Sequence, residues 1–153
     1  MERRPLILIV DDEPGSRESL RMILKPFYDI LTVANGMEAL DHIQKEKVDL
    51  ITLDLKMPGL SGIDVLHELK KMGSDAAVII ITGHRTLSSI HEALRYGAVD
   101  FVSKPFNVSD IIAIVQRSLA QRNRNQQGKK NGGKLRNTPF GESKKVNEAV
   151  NNH

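Results

Sequence analysis

Apolar and polar residues follow two different periods along the first 120 residues of the chain. Five short runs are almost continuously apolar, and five longer segments repeat apolar residues every three or four positions. Short apolar runs are typical of buried strands, and the longer period is typical of amphipathic helices. The pattern predicts strands over residues 6–10, 29–33, 49–54, 77–82 and 100–103, and helices over 16–25, 36–46, 62–72, 87–97 and 108–121.

The strict alternation of strands and helices predicts a parallel sheet built from βαβ units. The strands are rich in Val, Ile and Leu throughout, as expected of a sheet that helices cover on both faces. We therefore expect an α/β fold of the doubly wound type, with five parallel strands in one sheet and helices on both faces.

The periodic pattern ends near residue 121, so the predicted domain covers residues 5–121. Residues 122–153 are rich in Asn, Gln, Gly and Lys, which predicts a disordered basic linker or tail. Residues 1–120 carry 14 Lys and Arg against 17 Asp and Glu, whereas residues 121–153 carry 8 against 2. The basic charge therefore belongs to the tail and does not by itself predict nucleic-acid binding. A weak electrostatic arm for nucleic acid or a membrane is the less favoured alternative.

Composition also limits the kinds of site that the chain can form and its location in the cell. The absence of cysteine excludes disulfides and thiolate metal sites. No apolar run approaches the roughly 20 residues that span a membrane, and the first apolar stretch is too short for a signal peptide. We therefore expect a cytoplasmic chain with no membrane contact.

Polar side chains follow the carboxyl ends of four predicted strands. Asp11 and Asp12 follow the first strand, and Asp54 ends the third. Thr82 ends the fourth strand, and Lys104 lies just past the fifth. Ligands of doubly wound sheets bind outside the carboxyl ends of the strands, so we expect these five side chains to meet at one edge.

The expected cluster has a chemical logic. Three carboxylates held together repel one another, and a hard divalent cation such as Mg²⁺ relieves that repulsion. A carboxylate beside such an ion can attack phosphorus and form an aspartyl phosphate. Lys104 and Thr82 would then bind the phosphoryl oxygens. Asp54 is the predicted nucleophile because its strand lies between the others.

Each of these residues also has an ordinary structural explanation. Acids after a strand often cap the next helix, and for Glu13 we favour capping of the first helix. Thr82 alone suits a strand, and Lys104 alone suits a solvated surface. The joint placement of these residues at four strand ends favours a shared site.

Four segments, "ILIVDDE", "DLITLDLKMPGLSGIDVL", "IIITGH" and "GAVDFVSKPF", occur in an order and spacing that carry a family resemblance. Over residues 5 to about 121, the chain resembles the receiver domain of response regulators in bacterial two-component signalling. The resemblance implies a flavodoxin-like fold with strand order 2-1-3-4-5. It also implies a switch that accepts a phosphoryl group from a sensor histidine kinase.

The resemblance assigns roles to the acids and to two neighbouring positions. Asp54 matches the phosphoacceptor, and Asp11, Asp12 and Asp54 match the carboxylates that hold Mg²⁺. The backbone carbonyl of Lys56 matches the remaining protein ligand of the metal. In the family, the positions of Lys56 and His84 tune the lifetime of the phosphoryl group, so His84 is kept as a modulator only.

The resemblance also implies a conformational switch. Thr82 and Lys104 match the hydroxyl and the lysine that bind the phosphoryl group, and Phe101 matches the switch aromatic that turns inward as Thr82 moves. The Lys104–Pro105 bond is cis in the family, which is uncommon among X–Pro bonds in general. The surface of the fourth helix, fifth strand and fifth helix is used there for partner docking or homodimerisation.

Three competing interpretations differ in testable features. A haloacid-dehalogenase-type phosphatase needs a second Asp two residues after the nucleophile, and Lys56 stands there. A nucleotide-binding protein needs a glycine-rich phosphate motif, which the sequence lacks. The main alternative is a receiver fragment of a longer DNA-binding transcriptional regulator. Residues 122–153 are too short and polar for a DNA-binding domain, so no direct nucleic-acid contact is predicted. Because the chain would catalyse only its own phosphorylation and dephosphorylation, we predict a switch rather than an enzyme.

Overall fold

The structure, a computed structural model, describes residues 3–84 and 86–135, with 129–135 described as backbone only. The strands are β1 (Leu6–Val10), β2 (Asp29–Val33), β3 (Leu50–Leu53), β4 (Ala77–Thr82) and β5 (Asp100–Ser103). The helices are α1 (Pro14–Leu24), α2 (Gly36–Lys45), α3 (Gly62–Met72), α4 (Leu87–Arg95) and α5 (Val108–Leu135). None of the described helices combines the length and the apolar character needed to cross a membrane.

The five strands form one parallel sheet in the order β2-β1-β3-β4-β5. This confirms the predicted doubly wound fold and its strand order. Val10 of β1 lies opposite Leu53 of β3, which lies opposite Ile80 of β4. Thr82 of β4 lies opposite Ser103 of β5. The carboxyl ends of four strands therefore form one continuous edge.

Each face of the sheet buries its own apolar cluster, because successive strand residues point to opposite faces. One cluster joins alternate residues of the central strands to α2, α3 and α4 through Ala39, Val65, Leu66, Leu69 and Ala93. The other joins the remaining strand residues to α1 and α5 through Leu20, Leu24, Ile111, Ile114, Val115 and Leu119. Burial on both faces explains why the strands are almost continuously apolar.

Local sequence signals set several helix ends. Ser61 and Asp64 form a reciprocal capping box at the start of α3, and Gly73 ends that helix in the left-handed conformation. At the start of α5, the side chain of Asn107 accepts a hydrogen bond from the backbone N–H of Asp110 at 2.8 Å. These caps satisfy some of the backbone groups that a helix end leaves without intrahelical partners.

The last helix extends beyond its predicted end at residue 121. Residues 122–135 continue α5, which differs from the disordered linker that the sequence pattern predicts for this stretch. Gln, Arg, Lys and Leu have favourable helix propensities and no proline interrupts the chain here, whereas three Gly and three Asn oppose the helix, which has no apolar stripe. By its internal contacts the chain divides into two units, Met1–Ala120 and Gln121–His153. Residues 136–153 lie outside the described residues, and their assignment as a tail stays a prediction.

The start of α3 lies directly against the backbone that follows β3. A Cβ atom at Gly62 would lie 2.4 Å from the carbonyl oxygen of Asp54 and 2.7 Å from the Cα atom of Leu55. The backbone N–H of Gly62 donates to the carbonyl of Leu55 at 3.0 Å. This position therefore requires glycine for close backbone approach. The start of α3 thereby packs directly against the backbone of Asp54.

We predict that Gly62→Ala lowers the free energy of unfolding by about 1–3 kcal/mol, because the added methyl group displaces backbone atoms. Urea denaturation followed by circular dichroism measures this change. Gly15→Ala is the matched control, since no heavy atom lies within 4 Å of a Cβ built there. Equal unfolding midpoints for the two variants would contradict the proposed close approach.

Candidate functional site

The structure brings together all five side chains that the sequence placed at the strand ends. Asp11 and Asp12 follow β1 directly, and the backbone N–H of Asp54 donates to Val10 at 3.1 Å, which continues the β1–β3 ladder. The backbone N–H of Lys104 donates to the carbonyl of Thr82 at 3.0 Å. Hydrogen bonds of the sheet backbone thus fix the positions of the residues that carry these side chains. The Lys104–Pro105 peptide is cis, as the resemblance implied.

The Lys104 ammonium group lies among three carboxylates. Its Nζ atom is 2.9 Å from Asp11 Oδ2 and 2.8 Å from Asp54 Oδ2, and it also contacts Glu13 Oε1. The side chain of Lys104 is 12% exposed, and those of Asp11 and Asp54 are 2% and 6% exposed. Buried carboxylates are tolerated when a cation and hydrogen bonds compensate them, and Lys104 supplies both.

Asp54 also accepts hydrogen bonds through its other oxygen. The hydroxyl of Thr82 donates to Asp54 Oδ1 at 2.7 Å, and the backbone N–H of Lys56 donates to the same atom at 3.1 Å. The Thr82 hydroxyl in turn accepts from the backbone N–H of His84 at 3.1 Å. Asp54 is therefore held in one orientation by groups from three different strand ends.

Burial and charge act in opposite directions on the pKa values at this site. Burial raises the pKa of Asp11, although hydrogen bonds from Lys104 and from the backbone of Glu13 partly offset that effect. For Lys104, burial lowers the pKa, but hydrogen bonds to Asp54, Glu13 and Asp11 outweigh it and raise the pKa above its ordinary value. The lysine thus stays charged, and the site disfavours the ionised form of Asp11.

Glu13 corrects one prediction from the sequence. It occupies the N-cap position of α1, but its side chain makes no capping hydrogen bond. Its carboxylate contacts Lys104 instead. The sequence favoured the local capping role because the contact joins residues 91 positions apart, which no local pattern shows. The position of Glu13, directly after the Asp11–Asp12 pair at a strand end, agrees with a place in the acidic cluster but does not identify Lys104 as its partner.

Asp11, Asp12 and Asp54 form a group suited to a hard divalent cation. Each offers one carboxylate oxygen, and these oxygens all lie within 4.8 Å of one another. Carboxylate oxygens are the ligands that Mg²⁺ prefers, so the donor set fits this ion. The side chain of Lys56 is exposed, and the ligand role predicted for its backbone carbonyl stays a prediction.

An open pocket of about 630 Å³ lies over Asp54, and Asp12, Glu13, Lys56 and His84 line it. His84 is exposed there, as expected of a modulator position, although its influence stays a prediction. Phe101 of β5 is half-buried and packs against the apolar cluster under α2, α3 and α4. The carboxylate of Asp54 therefore lines a pocket that opens to solvent, and the switch role of Phe101 stays a prediction.

The strand order and the acidic pocket at the carboxyl edge of the sheet agree with the receiver-domain fold that the sequence resemblance implied. The family model described as the response regulator receiver domain matches residues 7–116. The chain belongs to this family, as its sequence resemblance predicted. Receiver domains bind Mg²⁺ in the acidic pocket, are phosphorylated by sensor histidine kinases and act as signalling switches rather than enzymes.

Individual relatives show how much of their length the chain covers. The chain is 40% identical over 114 residues to sporulation initiation phosphotransferase F of Bacillus subtilis (strain 168). The matched region covers 74% of this chain and 92% of that protein. The chain is 35% identical over 114 residues to the response regulator MprA of Mycobacterium avium (strain 104), and it spans only 50% of that protein. A receiver domain protein (CheY-like) from Methanospirillum hungatei JF-1 superposes with a TM-score of 0.77 at 28% identity, covering 80% of this chain and 98% of that one.

We predict that Asp11→Asn raises the melting temperature of the metal-free protein and removes most of its stabilisation by Mg²⁺. A raised pKa means that the folded state disfavours ionised Asp11, so a neutral amide relieves that cost at neutral pH. We expect the melting temperature in EDTA to rise, because relief of this cost stabilises the folded state. Mg²⁺ should stabilise the wild type by mass action and the variant much less.

Differential scanning calorimetry in EDTA and in Mg²⁺ measures both effects. Asp41→Asn on α2 is the control, because Asp41 is exposed and pairs with Lys45 outside the site. A melting temperature for Asp11→Asn below that of the wild type in EDTA would contradict the prediction.

Proposed function

We propose that this chain is a phosphorylation-activated switch that accepts a phosphoryl group from a sensor histidine kinase onto Asp54, with Mg²⁺, in the cytoplasm. One observation carries the proposal: Asp54 lies 2.8 Å from Lys104 Nζ and 2.7 Å from the Thr82 hydroxyl, beneath an open pocket. A donor can reach this carboxylate, and two groups suited to binding transferred phosphoryl oxygens are already beside it.

The transfer is a displacement at phosphorus. A carboxylate oxygen of Asp54 attacks the phosphorus atom of the phosphohistidine, the P–N bond breaks as the P–O bond forms, and the released imidazole nitrogen keeps the electron pair. Lys104 binds the phosphoryl oxygens and offsets their charge. Asp11, Asp12 and Asp54, with the backbone carbonyl of Lys56, would hold Mg²⁺, which when bound neutralises charge on the phosphoryl group. Hydrolysis of the aspartyl phosphate returns the chain to its starting state.

The switch follows from the hydrogen bonds of Thr82. Its hydroxyl, which donates to Asp54 in the described state, would donate to a phosphoryl oxygen instead. We expect Thr82 to move toward the phosphate and Phe101 to turn inward from its half-buried position. The surface of α4, β5 and α5 then shifts to a second conformation, which phosphorylation stabilises relative to the first.

The same surface is the proposed site of homodimerisation. Several large apolar side chains on or beside α4, β5 and α5 are exposed, namely Leu87, Leu94, Val99 and Val108. Association with a partner surface would remove these apolar side chains from water. Homodimers formed through this surface would be more populated after phosphorylation.

A second candidate is a receiver that forms part of a longer DNA-binding transcriptional regulator. The response regulator MprA supports the greater length, because the chain spans half of the Mycobacterium avium protein. The Bacillus subtilis relative supports a free-standing receiver, since 92% of it is covered. In both candidates the described residues do the same chemistry, and DNA contact is not assigned to them.

We predict that incubation with acetyl phosphate and Mg²⁺ adds about 80 Da to the wild type and nothing to Asp54→Asn, because the amide is not a nucleophile for phosphorus. Intact-mass spectrometry measures the gain. Asp41→Asn, which changes an exposed acid on α2, should gain mass like the wild type. Persistence of the gain in Asp54→Asn would move the acceptor to another residue.

We predict that Thr82→Ala keeps phosphorylation of Asp54 but loses most of the conformational response, because the hydroxyl that follows the phosphate is gone. Chemical-shift changes of the Phe101 ring on addition of beryllofluoride and Mg²⁺ report the response. Thr82→Ser, which keeps the hydroxyl, should respond like the wild type. A full response in Thr82→Ala would remove Thr82 from the switch.

A further inference from the structure

The ammonium group of Lys104 has no spare donor in the described state. A lysine ammonium carries three N–H donors. Its Nζ atom contacts Asp11 at 2.9 Å, Asp54 at 2.8 Å and Glu13 as well, which makes three carboxylate partners. A phosphoryl group on Asp54 takes over the donor that now serves the Asp54 carboxylate. A second hydrogen bond from Lys104 to the phosphoryl oxygens requires the donor that now serves Asp11 or Glu13.

The three partners differ in what they lose when Lys104 leaves. Asp54 is no longer a carboxylate once it is phosphorylated, so its contact passes to the phosphoryl oxygens. The side chain of Asp11 is 2% exposed, and without Lys104 it would be a buried carboxylate that lacks this cation, which is strongly unfavourable. The side chain of Glu13 is 60% exposed, and water replaces the lost contact. Glu13 is therefore the partner that Lys104 leaves at the least cost.

The backbone keeps Glu13 within reach of Lys104. The backbone N–H of Glu13 donates to Asp11 Oδ1 at 2.9 Å, and Pro14 follows immediately as the first residue of α1. The Glu13 side chain makes no helix-capping hydrogen bond. The carboxylate is thus directed at Lys104 by a fixed backbone and serves no visible role in α1.

We propose that Glu13 is a positioning residue that holds Lys104 in the unphosphorylated state and releases it when a phosphoryl group binds. The proposal rests on the proposed function and specifies how the same site is regulated. Because the Glu13–Lys104 contact exists only before phosphorylation, it stabilises the unphosphorylated state and slows entry into the phosphorylated one. Its loss should raise both the phosphorylation rate and the affinity for a phosphoryl analogue.

Charge repulsion alone also predicts a higher phosphorylation rate and a higher affinity for the analogue when Glu13 is replaced. This effect must be distinguished from loss of the contact with Lys104. The Glu13 carboxylate lines the pocket and would repel an anionic donor even without touching Lys104. Glu13→Asp separates the two effects, because it keeps the charge but shortens the side chain by one C–C bond, about 1.5 Å. Its carboxylate no longer reaches Nζ, whereas its repulsion of an anionic donor persists.

The experiment compares the wild type with Glu13→Gln, Glu13→Asp and Glu18→Gln. The last is the matched control, an acid on the same helix that pairs with Arg21 instead of Lys104. Acetyl phosphate with Mg²⁺ gives the phosphorylation rate, and titration with beryllofluoride and Mg²⁺ gives the affinity for the analogue. The side-chain Nζ resonance of Lys104 in EDTA reports the contact itself, without any phosphorylation. Melting temperatures confirm that each variant is folded.

We expect Glu13→Gln and Glu13→Asp to increase both the rate and the affinity by roughly two- to fivefold, the range set by an exposed ion pair. The Lys104 resonance should shift in both variants and not in Glu18→Gln. Wild-type values for Glu13→Asp, unchanged or lowered values for Glu13→Gln, or an unshifted Lys104 resonance would each overturn the proposal. Absence of phosphorylation in the wild type would instead overturn the proposed function, while the resonance would still test the contact.

Discussion

The ammonium group of Lys104 compensates buried carboxylates that come from distant parts of the chain. Asp11 and Asp54 lie at the ends of different strands, and without a nearby cation their burial would be strongly unfavourable. Lys104 reaches them because its backbone hydrogen-bonds to Thr82 at the end of β4, beside the strand that carries Asp54. The strand order and the charge cluster therefore depend on each other: another order would leave these acids without their lysine.

The net negative charge of the same cluster explains why the site is suited to binding a divalent cation. Asp11, Asp12, Glu13 and Asp54 carry four formal negative charges, and Lys104 carries one positive charge, so the formal charge of the group is −3. A divalent cation reduces this excess, whereas a phosphoryl group on Asp54 adds negative charge and increases the need for the cation and for Lys104. Because the sheet is covered on both faces by apolar clusters, the strand ends cannot move apart to relieve the repulsion. The repulsion among the carboxylates therefore has to be relieved by a bound cation.

Sequence patterns predicted the strands to within one residue, because a doubly covered sheet needs continuous apolar runs and loops need polar ones. The pattern placed the third strand over 49–54 and the structure gives Leu50–Leu53, while the third helix is the same in both. The strand-end rule also placed Asp54 and Lys104 at one edge. The Glu13–Lys104 contact was beyond prediction, since local capping preference competes with a tertiary ion pair that only the folded chain reveals. The helical residues 122–135 were missed because a polar helix has no apolar period.

In the proposed switch, the hydrogen bonds of Thr82 connect Asp54 to the segment that precedes α4. Its hydroxyl donates to Asp54 and accepts from the backbone N–H of His84. If the hydroxyl turns toward a phosphoryl oxygen, the His84 amide loses its acceptor, and an unpaired amide favours a new backbone arrangement. Thr86 caps α4 only two residues later, so a change at His84 acts directly on the start of that helix. A single hydroxyl can thus couple charge at the sheet edge to the position of α4, with Lys104 contributing through its exchange of Glu13 for phosphate.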